Sequence, residues 1–201
     1  MFLKSISNNI TDQKYIKVYE NLLGILAAVL VFMEIGSIGI LLFVMFNVFF
    51  YKRLKWGYKS FKFIAIIAIP FILNVLFIWN NDSLYEAIKH GEKYISLLVF
   101  PVLIIGQSVY ISIDRVLKIY TAIFTIILIL AFGIHVFLNL ELMKMYLSGV
   151  MVWQMGYKFA LSLDSHAPAL NMHVAFLVVS NYYLMLSSIF KMKKKHYALA
   201  D

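Results

Sequence analysis

The sequence has no cysteine, only three prolines and few charged residues for its length. Without cysteine, disulfides, zinc–thiolate sites, iron–sulfur clusters and cysteine nucleophiles are excluded. Charged residues make up 14% of the 201 residues, whereas soluble globular domains have about 25%. A composition so poor in charge, with no Pro-rich or Gly-rich tract, excludes a soluble domain, a disordered chain and a collagen-like protein.

Apolar residues take the place of the missing charge. They make up 63% of the sequence, and the mean hydropathy is +0.85. A helix that crosses a bilayer needs roughly 20 mostly apolar residues, so a chain of this length has room for about six crossings. The composition therefore predicts an all-α fold, a polytopic transmembrane helix bundle that forms a single membrane domain over residues 1–201.

Six apolar runs are the predicted spans, at residues 18–33, 37–51, 61–79, 94–113, 119–138 and 170–190. The first two are separated only around Glu34, so residues 18–51 form either two spans or one. Two spans place 14 of the 18 Lys and Arg residues on the cytoplasmic side, as the positive-inside rule favours. We therefore expect six spans with both the N-terminus and the C-terminus in the cytoplasm. Segment 139–164 is expected to lie on the outer surface as an interfacial helix, with a re-entrant segment as the alternative.

The net charge of +8 would suggest a nucleic-acid partner in a soluble protein. Here the basic residues lie between the apolar runs, which is where they flank membrane-spanning helices. We therefore expect membrane lipids as partners and no nucleic acid.

Polar residues inside the apolar runs are candidates for function, because an unpaired amide in hydrocarbon costs on the order of several kcal/mol. Gln107 in the fourth run is therefore expected to face another helix. The last run carries His173, Ser180 and Ser187 at intervals of seven, which places them on one helix face. That face either packs inside the bundle or lines a polar cavity.

The densest polar cluster lies at the start of the last run. It supplies Asp164, His166 and His173 as candidate catalytic residues and Asn171 as a candidate binding residue, and His135 of the fifth run could approach it. On one helix His166 and His173 would lie about 10.5 Å apart along the axis, too far to share a metal ion. We therefore expect no metal site, and the sequence predicts no cofactor. Packing or helix capping is the alternative role for each of these residues.

Two charged residues at the entrance to the fourth run form a further candidate binding position. Glu92 and Lys93 could contact an anionic headgroup or a pyrophosphate that arrives from the outer leaflet. Their alternative role is to anchor the helix in the membrane interface.

Three stretches of the chain resemble a known family in their order and character. They are Glu34-Ile35-Gly36-Ser37 followed by the basic segment 52–56, segment 79–104 with its Ser-Leu-Leu-Val-Phe-Pro helix, and segment 166–176 with His-Ala-Pro at its start. Together they resemble the first half of the O-antigen ligase and polymerase superfamily of bacterial inner-membrane glycosyltransferases. The resemblance implies a role in transferring an undecaprenyl-pyrophosphate-linked glycan to an acceptor at the outer face of the inner membrane.

The resemblance also implies that this chain works with a further part. Family members have more spans, and their functional Arg-x-x-x-Leu motif and outer-loop histidine match no residue here. We therefore expect the isolated chain to be inactive and to need a missing C-terminal half or a partner subunit. The alternative is a non-enzymatic six-span membrane protein, either an accessory subunit or a small transporter.

Overall fold

The computed structural model describes the backbone of residues 2–80, 83, 85, 94–163 and 165–197, and the side chains in these ranges apart from residues 2–11, 33, 153 and 189–197. Within this part of the chain the regular secondary structure is helical, so the predicted all-α class is confirmed. The helices are α1 (Phe2–Val29), α2 (Met33–Phe49), α3 (Tyr58–Ile67), α4 (Ile69–Leu76), α5 (Ser96–Ile105), α6 (Ile113–Leu138), α7 (Leu140–Leu147), α8 (Met155–Ser162) and α9 (Ala167–Tyr197).

Two of the described helices are long and apolar enough to span a membrane. They are α6 and the first 22 residues of α9, Ala167–Ser188. The pair α3 and α4 adds a third candidate if it is one span, although the two helix axes differ by 65°. Only 17% of the apolar window of α6 and 11% of that of α9 is buried inside the fold. Long helices that expose so many apolar side chains are typical of a membrane protein.

The chain divides by its contacts into two compact units. Unit 1 is Met1–Phe43 with Ile111–Asp201, and unit 2 is Val44–Tyr110. The core of unit 1 is built from α1, α6, α8 and α9 together with the turn after α1. Its buried members are Ala28, Val31, Tyr120, Phe124, Ala160, Leu170 and Leu177.

Contacts within unit 1 define the relative directions of its helices. Helix α1 runs parallel to α6, because Glu20 lies beside Ser112 while Gly24, one turn later, lies against Ile119. At Gly24 a Cβ atom would meet Ile119 Cβ at 2.8 Å, so the two helices approach closely where glycine lacks a side chain.

Two further helix pairs of unit 1 are antiparallel. The chain turns between Val29 and Met33, and the first part of α2 folds back so that Phe43 meets Tyr19, with ring centroids 5.6 Å apart. Helix α9 runs against α6, since Phe176 in its first half contacts Tyr120 while Ser187 in its second half reaches Asp114.

In unit 2, the end of α5 pairs with the segment that precedes α3. The Lys55 N–H donates to the Gly106 carbonyl at 2.7 Å, and the Trp56 indole N–H donates to the Val102 carbonyl at 3.0 Å. These bonds set α5 antiparallel to α3, and the first provides a partner for the Gly106 carbonyl at the end of α5.

Two predicted spans differ from the helices in this unit. The run 94–113 contains a helix of only ten residues, Ser96–Ile105, because the backbone after Gly106 turns away to pair with residues 53–55. The run 61–79 bends at Ala68, because Pro70 has no N–H to continue the hydrogen bonds of α3 and instead begins α4.

Candidate functional site

Three helices of unit 1 are joined at one end, here called the acidic end and defined by Glu20 and Asp114. The buried Glu20 carboxylate accepts the Ser112 N–H at 2.7 Å and lies 3.4 Å from the Arg115 Nε atom. Arg115 also donates to the Asn21 side chain at 3.2 Å. Because Ser112 precedes α6, Glu20 caps that helix from α1, which also places negative charge where the helix dipole favours it.

Helix α9 reaches the acidic end through Asp114. Its Tyr183 hydroxyl donates to one carboxylate oxygen at 3.0 Å, and its Ser187 hydroxyl donates to the other at 3.3 Å. The carboxylates at this end thus bind groups of the protein itself, so we interpret it as a structural junction. Sequence reasoning placed Ser187 on an inward face but missed Glu20, whose only signal was a carboxylate among apolar residues.

The opposite end of α6, here called the histidine end and defined by His135 and Ser162, holds a buried imidazole. His135 is 3% exposed, and its Nδ1 atom lies 3.0 Å from the Ser162 Oγ atom. Ser162 gives its own hydroxyl hydrogen to the Phe159 carbonyl at 2.7 Å. With its hydrogen directed to Phe159, Ser162 is placed to accept from Nδ1 of His135, and a neutral imidazole with its hydrogen on Nδ1 has Nε2 as an acceptor. This Nε2 atom is buried and has no partner among the described residues.

A groove of about 340 Å³ runs along the first half of α9. Its described lining consists of Ala169, Met172, His173 and Phe176. The imidazole of His173 is half-buried, and its ring centroid lies 5.6 Å from that of Phe124 on α6. Among the described lining residues His173 is the one with a polar side chain, so the groove combines apolar walls with a single hydrogen-bonding group.

The structure separates the sequence-predicted site residues rather than gathering them. His166 and Asn171 are exposed, and His173 lies in the groove. His135 contacts Ser162, which is close in sequence to the predicted cluster. His173, however, contacts α6 at Phe124, and His135 lies eleven residues after Phe124, or about 16 Å further along that helix. Asp164, Glu92 and Lys93 fall outside the described residues.

The stripe at His173, Ser180 and Ser187 faces α6, as one of the two interpretations of the sequence predicted. Ser180 is 2% exposed, and Ser187 bonds to Asp114 on α6. The His173 position also lies at a cavity, so packing and a groove occur on the same face. In unit 2, Gln107 donates to the Asn47 side chain at 2.7 Å, which confirms the expectation that this amide pairs with another helix.

Comparison with family models, curated proteins and solved structures finds no match to this chain. The candidate site is therefore judged by its chemistry. In the part of the chain that the structure describes, no three His, Asp or Glu side chains lie close enough to hold a metal ion together. What the groove at His173 can do is bind an amphipathic molecule, with apolar contacts along α9 and one hydrogen bond to the imidazole.

Proposed function

We propose that this chain is a multi-pass membrane protein of the O-antigen ligase type that holds an undecaprenyl-pyrophosphate-linked glycan at the outer face of a bacterial inner membrane. The observation that carries the proposal is the groove with His173. Its apolar wall suits an isoprenoid chain, and its imidazole is placed to bond the polar group at which such a chain ends. The resemblance in segments 79–104 and 166–176 supplies the class of lipid.

The depth of His173 fits this role. It lies six residues after Ala167, the first residue of α9, or about 9 Å along the helix. The hydrocarbon core of a bilayer is about 30 Å thick, so this depth lies within the outer third of the core. A polar side chain at such a place is expensive unless it has a partner, and ligands are common partners.

For the arrangement in the membrane we propose six spans with both termini in the cytoplasm. The charge distribution supports this, and so do the helix directions: α1 and α6 are parallel and α9 is antiparallel to α6, as the first, fifth and sixth of six spans would be. Under this arrangement the acidic end faces the cytoplasm, and the histidine end and the groove face outward.

We propose that this chain contributes lipid binding and that the transfer of the glycan depends on a further segment or a partner subunit. Transfer from a pyrophosphate requires fixed cationic groups and a general base beside the acceptor. The groove offers one imidazole and no cation among its described lining residues. A second candidate function follows from the same lining: because it is almost wholly apolar, an accessory subunit or small transporter could bind an ordinary phospholipid there.

Lipid binding to the full chain in nanodiscs tests the proposal. We expect a polyprenyl-pyrophosphate glycan to compete at least tenfold better than phosphatidylglycerol, and His173→Leu to remove that preference. Asn181→Leu makes the same kind of change on α9 outside the groove lining and serves as the matched control. Equal binding of the two lipids would favour the accessory or transporter role, and an unchanged preference in His173→Leu would refute the assigned site.

Reporter fusions test the membrane arrangement. A reporter after Lys195 should be cytoplasmic, and one inserted within residues 80–93 should be external. If both report the same side, the six-span arrangement is wrong. Loss of surface polysaccharide in a cell that carries His173→Leu would link the groove to glycan transfer.

A further inference from the structure

Three buried polar atoms without a described partner lie between the last turn of α6 and the start of α9. They are His135 Nε2, Tyr146 Oη and Ser165 Oγ, on residues that are 3%, 7% and 4% exposed. Folded proteins satisfy nearly all of their buried polar groups, because a buried group that forms no hydrogen bond loses those it would form with water. Three such atoms within 31 consecutive residues would gain hydrogen bonds if this part of the chain opened to water or to a ligand.

The imidazole of His135 is the best defined of the three. Its Nδ1 atom lies at hydrogen-bond distance from Ser162 of α8, and the Phe159 ring of α8 lies edge-on at 5.5 Å between centroids. Phe132, one turn earlier on α6, also meets the Phe159 ring edge-on at 5.7 Å. Helix α8 thus contacts the buried imidazole through two residues, Ser162 and Phe159.

The connection between α7 and α8 has the backbone geometry of a hinge. Gly149 has φ +84° and Met151 has φ +58°, both in the left-handed region. A side chain such as that of methionine is strained there, so the connection is held by the packing of the helices around it rather than by its own preference. Both α7 and α8 have only eight residues, and such short helices have little stability of their own.

We propose that α8 is a movable cover over His135. In the closed form Ser162 and Phe159 contact the imidazole, which is buried. In the open form α8 rotates about residues 149–151, and Nε2 becomes a hydrogen-bond acceptor for water or for the hydroxyl group of a ligand at this end of unit 1. The proposal concerns unit 1 alone and does not depend on the lipid bound in the groove at His173.

The absence of cysteine allows a direct test in detergent-solubilised full chain. Ala160 of α8 and Ala28 of α1 are both fully buried members of the same core cluster. Ala160→Cys should react with a maleimide at least tenfold faster than Ala28→Cys, because the cover opens while α1 stays packed. Equal rates at the two positions would overturn the proposal.

Two further substitutions in the Ala160→Cys chain have opposite expected effects. His135→Leu removes the unpartnered nitrogen from the closed form and should slow the reaction about tenfold, which corresponds to about 1.4 kcal/mol. Ser162→Ala leaves the Nδ1 atom of His135 buried without this partner in the closed form and should accelerate the reaction. A faster reaction in His135→Leu would contradict the proposal, because general loosening of the fold would then explain the labelling.

Hydrogen exchange of the unchanged chain provides a measurement that needs no substitution. The amides of Leu163 and Ser165 both donate to the Ala160 carbonyl, so they report on the end of α8. We expect them to exchange faster than amides in the middle of α6. Exchange as slow as in α6 would show that α8 does not open.

Discussion

Gly24 is a position at which a single methyl group should disturb the packing of α1 against α6. A Cβ atom there would lie 2.8 Å from Ile119 Cβ and 2.9 Å from the Val116 carbonyl oxygen, both of which belong to the rigid part of α6. Carbon atoms prefer a separation of about 3.5–4.0 Å, so α1 and α6 must move apart by roughly 1 Å. Overpacking of this kind typically costs about 1–3 kcal/mol.

Gly133 offers a matched control on α6, where nothing lies within 4 Å of the position of a Cβ atom. Replacing glycine by alanine inside a helix gains about 0.8–1 kcal/mol, and Gly133→Ala should show that gain alone. In Gly24→Ala the same gain opposes the steric cost, so the two variants should differ by about 2 kcal/mol. For a chain of this size that corresponds to roughly 4–8 °C in melting temperature.

Thermal unfolding of the two variants in the same detergent, followed by circular dichroism, measures this difference. We expect Gly24→Ala to melt below the unchanged chain and Gly133→Ala to melt at or above it. If the two variants melt together, the close approach of α1 to α6 is not a feature of the folded protein.

Three further predictions concern stability and use the same assay. Gly106→Ala should destabilise unit 2 by about 2 kcal/mol, because its methyl group would collide with the Trp56 indole nitrogen, and a melting temperature equal to that of the unchanged chain would contradict that packing. Glu20→Gln keeps an acceptor for the Ser112 N–H but loses the charge beside Arg115, so we expect it to lower the free energy of unfolding by about 1 kcal/mol. High salt should make this difference between the variant and the unchanged chain smaller. Equal stability of the two chains would show that the ion pair contributes nothing. Met151→Gly should relieve the left-handed backbone and raise stability by about 1 kcal/mol, and a decrease would mean that the methionine side chain contributes more than the strain costs.

The long apolar helices could be predicted from the sequence because their signal is local. Hydropathy alone located the runs 119–138 and 170–190, and the structure has α6 and α9 there. The extension of α1 to Phe2 was missed, since hydropathy detects the part of a helix that can enter a membrane and says little about a polar part that continues it. The end of α5 at Ile105 was missed for a different reason: it depends on bonds to residues about 50 positions earlier, which no local pattern contains.

The residues of the candidate site likewise divide into those with a local signal in the sequence and those that depend on a distant partner. His135 and His173 were found because each is a polar residue in an apolar run, which is visible without any partner. Glu20 and Arg115 are 95 residues apart, and each acquires its role only from the other. The groove was foreseen only as one of two interpretations of a polar stripe, since a helix face has the same periodicity whether it packs against a neighbour or lines a cavity.

The parallel pairing of α1 with α6 limits the topologies open to the proposal. If both helices cross the membrane in the same direction, the chain between them must cross it an odd number of times. Treating residues 18–51 as one span leaves two crossings, through 61–79 and 94–113, and would set α6 antiparallel to α1. Two spans in 18–51 leave three crossings, through 37–51, 61–79 and 94–113. They leave one crossing, through 37–51, if the bent pair α3–α4 and the short α5 enter and leave the membrane on the same side. Both of these odd counts agree with the contacts at Glu20 and Gly24, and since α9 runs against α6, both place the two termini on the same side.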